Sequence, residues 1–271
     1  MGVSVAASAR NGGHDVYWAS QGRSSQTRAR AEAAGLHDLG DVARLCERCS
    51  VIVSVCPPHA AEEVADEVLH QGYAGLYLDA NAIAPGRALR MAHSMAAAGI
   101  AFVDGGIIGG PAWEAGRTWL YLSGQEAPAA AALFSAGPLE TEVIGDQVGK
   151  ASALKMCFAA NTKGTTALLC AMLAAAESLG VREELERQWS RYESGFAEEA
   201  AARARRVTAK AWRFAGEMDE IAQTFEEAGL PGDFHDAAAV LYRRMAHFKE
   251  AASTPSLEAV LAALAGGEPE S

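Results

Sequence analysis

Short apolar runs alternate with helix-forming segments over residues 1–148, and this alternation constrains the fold more than any other feature of the chain. The apolar runs are Val16–Ala19, Val51–Val55, Leu76–Asp79, Ile100–Asp104 and Thr118–Leu122. Continuous apolar strands that alternate with helices are typical of a parallel sheet covered on both faces. The sequence therefore predicts an α/β domain with a doubly wound parallel sheet over residues 1–148, with Thr118–Leu122 as its last strand.

The loops that follow these strands are the candidate ligand sites. In a doubly wound sheet, ligands bind outside the carboxyl ends of the strands. Four segments are therefore of interest, and we expect each to be a loop: the one after Ala19, Cys56–Pro58, Asn81–Ile83 and Gly105–Gly110.

From Gly149 onward the sequence favours helices alone, which predicts an all-helical domain over residues 149–271. Between Ser152 and Leu179 the residues are mostly Ala, Leu, Met and Cys, and they are apolar nearly all round the helix. Such a helix is buried in a core or in a subunit interface. We therefore expect a homodimer that forms through the C-terminal helices. The tail from Gly266 to the end is predicted to be disordered.

Two lysines lie within this apolar helix, at Lys155 and Lys163. Because burial of an unpaired ammonium is unfavourable, each lysine either reaches solvent or faces a cavity that holds a partner. At 100° per residue, Thr162 lies about 20° from the face of Lys155 and Lys163 about 80° from it. The helix thus presents a polar stripe, unless the lysines extend from the helix end to solvent.

Charge and composition exclude several classes of function. The net charge of -11 and the pI near 5.1 argue against a nucleic-acid partner. No apolar run reaches the roughly 18 residues of a membrane span, and no signal peptide is visible. The five cysteines are odd in number, and three lie in apolar surroundings, which favours a reducing cytoplasm. Cys46 and Cys49 form a single C-x-x-C pair without a second pair or a nearby histidine, so no metal site is expected.

Several segments together resemble the β-hydroxyacid dehydrogenase superfamily, which includes 3-hydroxyisobutyrate dehydrogenase, 6-phosphogluconate dehydrogenase and the imine reductases. The matching segments are Met1-Gly2 with Gly13–Val16, Leu78–Pro85, Val103–Gly110 and Gly149–Lys155. Two more, Gly216–Ile221 and Gly229–His235, resemble one uncharacterised branch, which joins the dinucleotide domain to a 6-phosphogluconate-dehydrogenase-like C-terminal domain. The resemblance implies a Rossmann-type domain followed by a helical substrate and dimerisation domain.

The resemblance also implies an activity and a set of site residues. The expected reaction is NADP-dependent hydride transfer to or from a small hydroxy acid, carbonyl or imine, with Lys155 as general acid/base. The expected cofactor-binding residues are Gly2, Ser20, Arg23, Ser24, Val55, Cys56, Pro57 and Asn81. The expected substrate-binding residues are Ile108, Gly109, Gly110, Thr162, Lys163 and His235. For His235, a surface histidine that caps a helix is the alternative.

The loop after the second expected strand favours NADP over NAD. An NAD site places an acid at the end of that strand, but no acid occurs here before Glu32. Arg23 can face a 2′-phosphate, and Ser20 and Ser24 can donate hydrogen bonds to it. A solvated polar loop is the alternative, and it would leave the cofactor preference undecided.

The chain departs from the family pattern at four points. The first strand and most of the glycine motif are missing, with Gly2 as the remaining glycine. Either the natural start lies about a dozen residues upstream and Met1 is an internal methionine, or the chain is a crippled product; we expect the first, because the segments downstream are intact. Ile108, Ala159 and Gly216 replace the family's serine, asparagine and lysine. These changes disfavour a simple β-hydroxy acid as substrate. They leave open an imine reductase, or a catalytically inactive NADP-binding or structural dimer.

Overall fold

The computed structural model describes residues 1–266 and divides the chain into two compact units, Met1–Met156 and the residues from Cys157 onward. Residues 267–271 of the predicted disordered tail lie outside the described residues. The division falls within a helix that begins at Lys150, so one helix contributes residues to both units.

The first unit alternates strands and helices, as predicted. Its strands are β1 (Tyr17–Trp18), β2 (His37–Asp38), β3 (Val51–Ser54), β4 (Leu76–Asp79), β5 (Ala101–Gly109), β6 (Thr118–Ser123) and β7 (Glu140–Gly145). Its helices are α1 (Gly2–Asn11), α2 (Ser25–Ala33), α3 (Val42–Arg48), α4 (Ala61–His70), α5 (Pro85–Ala97), α6 (Ala127–Ala132) and α7 (Lys150–Ala159).

The strands form two separate sheets. β1 and β2 pair in parallel, and the larger sheet has the order β3-β4-β5-β6-β7. In the larger sheet β3, β4 and β5 run parallel, whereas β6 runs antiparallel to β5. The prediction of a uniformly parallel sheet is therefore wrong at β6. The connection over residues 110–117 is too short for the crossover of about a dozen residues that a parallel pair requires.

Two strands were not predicted from the sequence, so Thr118–Leu122 is not the last strand. β7 pairs in parallel with β6 over Glu140–Gly145, and β2 is only two residues long. Neither strand contains a buried residue, and both carry acidic residues. They therefore lack the apolar run that identified the other strands.

Both faces of the larger sheet are covered by a hydrophobic core. On one face Leu78, Val103 and Leu120 pack with Val5 of α1 and Phe134, which follows α6. On the other face the buried cluster contains Ile52, Tyr77, Phe102, Val68 and Met95 from β3, β4, β5, α4 and α5. Neighbouring residues of one strand thus enter opposite cores, which explains why the strands are apolar on both faces. The predicted doubly wound α/β architecture is confirmed.

The second unit is helical throughout its described residues, which confirms the all-helical prediction for that part of the chain. A π turn at Ala160–Gly164 is followed by α8 (Thr165–Ser178), α9 (Arg182–Tyr192), α10 (Phe196–Glu227), α11 (Asp233–Arg244) and α12 (Leu257–Leu264). The 32-residue α10 packs along α11, and α8 packs against α12. Leu173, Met218 and Tyr242 are fully buried in this unit.

Candidate functional site

The predicted catalytic lysine, Lys155, is half-buried on α7, which lies directly against β5. Gly106 of β5 makes this approach possible. A Cβ atom at Gly106 would lie 2.6 Å from the carbonyl oxygen of Ala151 and 3.0 Å from Cβ of Lys155. A Cβ at Gly105 would lie 2.8 Å from the carbonyl oxygen of Asp79. The two glycines therefore let the helix and the neighbouring strand approach β5 closely.

The expected loop at Gly105–Gly110 is wrong for most of its length, because β5 continues to Gly109. Antiparallel pairing with β6 extends the strand beyond the parallel part of the sheet, and Ile108 pairs with Trp119. Gly109 has a φ of +125°, and a Cβ there would lie 2.5 Å from the carbonyl oxygen of Arg117. Gly110 is exposed and has open space around it. Of the three residues expected to contact substrate here, Ile108 is half-buried, Gly109 is the exposed last residue of β5, and Gly110 follows the strand.

A buried carboxylate, Asp104, fixes the start of α7. One oxygen, Oδ2, accepts hydrogen bonds from the backbone N–H groups of Gly149 at 2.9 Å and Ser152 at 3.0 Å, and from Ser123 Oγ at 3.0 Å. Oδ1 accepts a hydrogen bond from Ser152 Oγ at 2.5 Å. A carboxylate at a helix N-terminus satisfies unpaired N–H groups and interacts favourably with the helix dipole. Asp104 thereby determines where the helix that carries Lys155 begins.

Asp104 was not singled out from the sequence. The available signal was one acid within an otherwise apolar strand, since a buried acid needs a hydrogen-bonding partner.

A second buried network joins the carboxyl ends of β3 and β4. The Nδ2 atom of Asn81 donates to Ser54 Oγ at 2.9 Å and to Asp79 Oδ2 at 2.7 Å, and its Oδ1 accepts from the backbone N–H of Cys56 at 2.5 Å. Asn81 is 3% exposed. The side chain of Asn81 thus binds Ser54, Asp79 and the backbone of Cys56, and its contact with a cofactor stays a prediction.

Burial perturbs the ionisable groups of this network. Burial raises the pKa of Asp79 to about 7, hydrogen bonds from Asn81 oppose the shift, and the neighbouring Asp104 adds to it. Burial also raises the pKa of the Cys56 thiol, so this cysteine is protonated at neutral pH and is not a ready nucleophile.

The loop after β1 holds two of the hydroxyls expected to bind phosphate. Ser20 is buried, and its Oγ accepts a hydrogen bond from Arg28 Nη1 at 3.2 Å. Ser24 caps α2, because its Oγ accepts from the N–H of Thr27 at 3.3 Å. A hydrogen bond with Ser20 lowers the pKa of Asp38, so an acid lies near this loop although none occurs between β1 and Glu32 in the sequence. Asp38 was missed because it belongs to the neighbouring strand β2.

Five of the eight expected cofactor residues line one cavity of about 1200 Å³ in the first unit. They are Gly2, Arg23, Val55, Cys56 and Pro57. Ser20, Ser24 and Asn81 are not part of its lining. Gly2 is the first residue of α1, and a Cβ there would lie 3.7 Å from Cβ of Val55. The start of α1 and the end of β3 therefore meet at one end of the cavity.

In the second unit, Lys163 is engaged by an acid. Its Nζ lies 2.7 Å from Oε2 of Glu217 and 5.0 Å from the centre of the Phe214 ring. The two charged side chains are only 11% and 13% exposed, and Tyr242 donates a hydrogen bond to the Lys163 carbonyl at 2.8 Å. Lys163 is therefore a paired lysine within the unit, and the alternative in which it extends to solvent is wrong.

The π turn changes the geometry on which the polar stripe was predicted. The angles for Thr162 and Lys163 assumed a regular α-helix, and the wider turn at Ala160–Gly164 invalidates them. The Thr162 hydroxyl donates back to the carbonyl oxygens of Phe158 at 3.3 Å and Ala159 at 3.4 Å. Local side-chain hydrogen bonds of this kind help a helix to depart from regular geometry.

His235 is buried rather than exposed, so the surface-histidine alternative is wrong. It is 5% exposed and packs against the rings of Phe225 and Phe234, with centroid distances of 4.3 Å and 5.1 Å. Its Nδ1 has no hydrogen-bond partner among the described residues. Burial lowers the pKa of His235, which favours the neutral ring. A buried ring nitrogen without a partner is a candidate donor or acceptor for a ligand.

Two negative findings apply to residues 1–266. None of their helices is both long and apolar enough to cross a membrane. In the same part of the chain, no group of three or more His, Cys, Asp or Glu side chains is arranged to hold a metal ion.

Comparison with known proteins assigns a class to each part of the chain. Residues 1–133 match the NAD binding domain of 6-phosphogluconate dehydrogenase, and residues 176–245 match a domain of unknown function, DUF1932. The protein therefore belongs to the class with a Rossmann-like dinucleotide-binding domain followed by a helical domain. Residues 1–133 are thus similar to 6-phosphogluconate dehydrogenase, and residues 176–245 are similar to DUF1932.

One curated relative matches part of the chain. It is an uncharacterized 28.5 kDa protein in the 7S RNA 5′ region of Methanothermus fervidus, 30% identical over 166 residues, which are 61% of this chain. The chain spans 63% of the length of that relative.

Solved structures match over nearly the whole chain. A conserved hypothetical protein from Sinorhizobium meliloti 1021 has a TM-score of 0.68 and 25% identity, with 98% of this chain and 92% of that chain covered. A conserved protein of unknown function, with structural similarity to 3-hydroxyacid dehydrogenases, has a TM-score of 0.63 and 26% identity, with 90% of this chain and 93% of that chain covered. Mycobacterium tuberculosis 3-hydroxyisobutyrate dehydrogenase shares the fold, with a TM-score of 0.66 and 17% identity, and with 97% of this chain and 95% of that chain covered.

Proposed function

We propose that the protein is an NADP-dependent oxidoreductase of the β-hydroxyacid dehydrogenase type, which acts on a small hydroxy acid, carbonyl or imine. The observation that carries this proposal is the placement of Lys155. It is half-buried on a helix whose first turn is held by the buried Asp104 and whose flank lies against Gly106. A side chain held by a fixed helix is suited to proton transfer at a defined position.

The residues around the cavity fit a dinucleotide. The cavity is large enough for a cofactor, and Arg23 supplies a cation where a 2′-phosphate would be recognised. Asp38 near Ser20 opposes this preference, because a carboxylate in this region favours the ribose hydroxyls of NAD. Arg28, which bonds to the side chain and carbonyl of Ser20, adds a second positive charge to the loop.

The roles of the protein groups follow from this arrangement. NADP, when bound, supplies or accepts the hydride. In the direction of reduction, Lys155 donates a proton from Nζ to the oxygen or nitrogen of the substrate, and in oxidation it takes that proton back. The exposed Gly110 offers a backbone N–H without a side chain in the way.

The test combines cofactor binding with turnover. NADPH and NADH are titrated by fluorescence, and NADPH oxidation is then followed with a panel of carbonyl acids and cyclic imines. We expect tighter binding of NADPH than of NADH, and loss of turnover by at least about a hundredfold in Lys155→Ala with binding retained. Lys150→Ala is the matched control, since Lys150 is an exposed lysine in the first turn of the same helix.

The outcomes separate the alternatives. Binding of NADPH without turnover of any substrate supports the alternative of an inactive NADP-binding or structural dimer. Equal loss of turnover in both lysine variants contradicts the role of Lys155. Absence of binding by either cofactor contradicts the cofactor assignment itself.

We further propose that the protein is a homodimer in which α8 pairs with α8 of a second copy. The exposed residues Thr165, Leu168, Met172, Ala175 and Leu179 recur at spacings of three and four along this helix. Three of them are large apolar side chains, with Leu179 being 76% exposed. This spacing matches the apolar seam of paired helices, and one chain alone leaves the stripe in contact with water.

The dimer is tested by charge substitution on the stripe. Leu168→Glu combined with Met172→Glu should convert a dimer to a monomer in sedimentation velocity, because two buried carboxylates per subunit would lack partners. Val240→Glu on α11, where the side chain is 46% exposed, is the control and should leave the mass unchanged. A wild-type protein that sediments as a monomer at high concentration would contradict the proposal.

A further inference from the structure

The segment between β1 and α2 contains a tight turn over Ser20–Arg23. The backbone N–H of Arg23 donates to the Ser20 carbonyl at 3.0 Å, which closes the turn. Its third residue, Gly22, has a φ of +70°, a conformation that glycine adopts without strain. The N–H of Gln21 donates to the Gly40 carbonyl at 2.8 Å, so the turn is also tied to the segment after β2.

Arg28 of α2 bridges the two ends of this turn. Its Nη1 donates to Ser20 Oγ at 3.2 Å, its Nη2 donates to the Ser20 carbonyl at 3.0 Å, and its Nε donates to the Arg23 carbonyl at 3.4 Å. The donors of a guanidinium lie in one rigid plane, so three acceptors together fix the position of the turn relative to the helix. The single ammonium of a lysine could not reach both ends in the same way.

Three arginines line the large cavity of the first unit, namely Arg23, Arg30 and Arg48. Two of them have hydrogen-bond partners within the protein: Arg30 donates to Thr27 Oγ1 at 3.2 Å, and Arg48 donates to the Tyr17 hydroxyl at 3.0 Å. Among residues 1–266, the Arg23 guanidinium makes no hydrogen bond, ion pair or ring contact. A ligand anion can therefore bind Arg23 without displacing a protein group.

The surroundings of Arg23 show which side of the turn faces a ligand. Burial raises the pKa of the Cys56 thiol, and the positive charge of Arg23 is among the smaller effects that lower it. The charge of Arg23 thus acts at the carboxyl end of β3, where Cys56 lines the same cavity. Ser20 and Asp38 do not line it, and Asp38 Oδ1 accepts the N–H of Gly40 at 2.8 Å. The side chain that the turn presents to the cavity is therefore that of Arg23.

We propose that Arg28 is a positioning residue for the recognition of a ribose 2′-phosphate. It holds the turn Ser20–Arg23 in the shape that directs Arg23 into the cavity, and it acts on the phosphate only through Arg23. This inference rests on the proposed NADP-dependent function. A cation that is already held in place loses less conformational freedom when the ligand binds, so its contact with the phosphate contributes more affinity.

The experiment measures binding of NADPH, NADH and 2′,5′-ADP to the full chain by calorimetry. The third compound carries the 2′-phosphate without the nicotinamide, so it reports on this part of the site alone. Arg28→Met keeps the length of the side chain and removes its donors. We expect it to weaken NADPH and 2′,5′-ADP by about tenfold or more, and to change the affinity for NADH by less than about twofold. A variant that was merely destabilised would weaken both cofactors alike.

Two substitutions separate position from charge. Arg28→Lys keeps the positive charge but does not bridge the turn, so it should lose the preference for NADPH as Arg28→Met does. Arg44→Met removes an exposed positive charge from α3, outside the lining of the cavity, and should keep the preference. Full preference in Arg28→Lys would overturn the proposal, because charge alone would then be sufficient.

A double substitution tests whether Arg28 acts through Arg23. Arg23→Met should lose the preference by itself. Arg23→Met combined with Arg28→Met should lose no more than Arg23→Met alone, since a residue that acts through another has no separate effect once its target is gone. Losses that multiply in the double variant would indicate two independent contacts with the phosphate and would contradict the positioning role.

Gly22→Ala tests the shape of the turn without removing a charge or a hydrogen-bonding side chain. A Cβ at Gly22 meets open space, but the φ of +70° is strained for alanine. The turn should therefore open, and the preference for NADPH should fall as in Arg28→Met. An unchanged preference in Gly22→Ala would contradict the link between the shape of the turn and Arg23.

The outcomes distinguish this inference from the proposed function. If the wild-type chain binds neither cofactor, or binds both equally, the assignment of NADP fails and the role of Arg28 fails with it. If the wild-type chain prefers NADPH and Arg28→Met keeps that preference, the role of Arg28 alone is overturned. Loss of the preference in Arg28→Met, Arg28→Lys and Gly22→Ala, with Arg44→Met unchanged, supports the role of Arg28.

Discussion

Removal of the Asp104 carboxylate should destabilise the first unit more than any other single polar substitution near Lys155. The carboxylate is fully buried and accepts four hydrogen bonds, two from backbone N–H groups of the α7 N-terminus and two from serine hydroxyls. Asp104→Ala leaves four donors without their acceptor in a dry site. Each hydrogen bond to a charged group contributes about 1.5–3 kcal/mol, but the buried carboxylate itself is costly to desolvate.

The net loss for Asp104→Ala is therefore about 4 kcal/mol, within the range for breaking a buried charged network. Asp104→Asn should cost less, about 2 kcal/mol. Its carbonyl oxygen can keep the three hydrogen bonds made at Oδ2, and the Ser152 hydroxyl can rotate to accept from the new amide. Ser152→Ala, which removes one hydroxyl and leaves the backbone N–H bonded, should cost about 1 kcal/mol.

Urea denaturation followed by tryptophan fluorescence measures these differences, since Trp119 lies on β6, which pairs with β5. The loss of stability should be largest for Asp104→Ala, smaller for Asp104→Asn and smallest for Ser152→Ala. A loss below about 1 kcal/mol for Asp104→Ala would refute the reasoning, because it would mean that water replaces the carboxylate without penalty. Equal losses for the Asn and Ala substitutions would show that a neutral acceptor at the position of Oδ2 contributes nothing to stability.

Two further predictions concern neighbouring groups. Gly106→Ala should cost about 1–3 kcal/mol of stability, because its Cβ would lie 2.6 Å from the Ala151 carbonyl oxygen. Gly110→Ala, with open space around it, is the matched control for stability, and equal stability of the two variants would contradict the packing argument. Asp79 has its pKa raised to about 7 by burial, so the folded state favours the protonated acid and loses stability as pH rises toward 7. Between pH 5.5 and 8, ionisation of Asp79 should lower the free energy of unfolding by about 2 kcal/mol. Asp79→Asn should flatten this part of the pH profile of stability, measured by urea denaturation at each pH. An unchanged profile would mean that Asp79 is ionised throughout this pH range.

The strands β4 and β5 were predicted from the sequence, and neighbouring residues along each of them are buried. β3 and β4 are continuous apolar runs, and such runs are visible in a single sequence. β2 and β7 have no buried residues, so their pairing is determined by neighbouring strands rather than by their own composition. The short connection over residues 110–117 could have predicted that β6 runs antiparallel to β5. The glycines just before it were interpreted as a binding loop instead.

The candidate site was predictable in part. The resemblance pointed to Lys155 and to the residues that line the cavity, because these lie at strand ends or on a helix with an unusual composition. The partners of polar groups could not be predicted, since Asp104, Glu217 and Asp38 are distant in sequence from the groups that they contact. The π turn was also not visible, because the residues of Ala160–Gly164 are compatible with an ordinary helix.

Asp104 also has a consequence for the order in which the first unit assembles. Its partners lie 19 residues away on β6 and 45 and 48 residues away at the start of α7. Contacts that close shorter loops form with a smaller loss of chain entropy, so the hairpin of β5 and β6 should form before α7 docks. The carboxylate is then already held by Ser123 when the helix arrives. A folding chain in which this hairpin has not closed has no fixed anchor for α7, so Lys155 reaches its position late in folding.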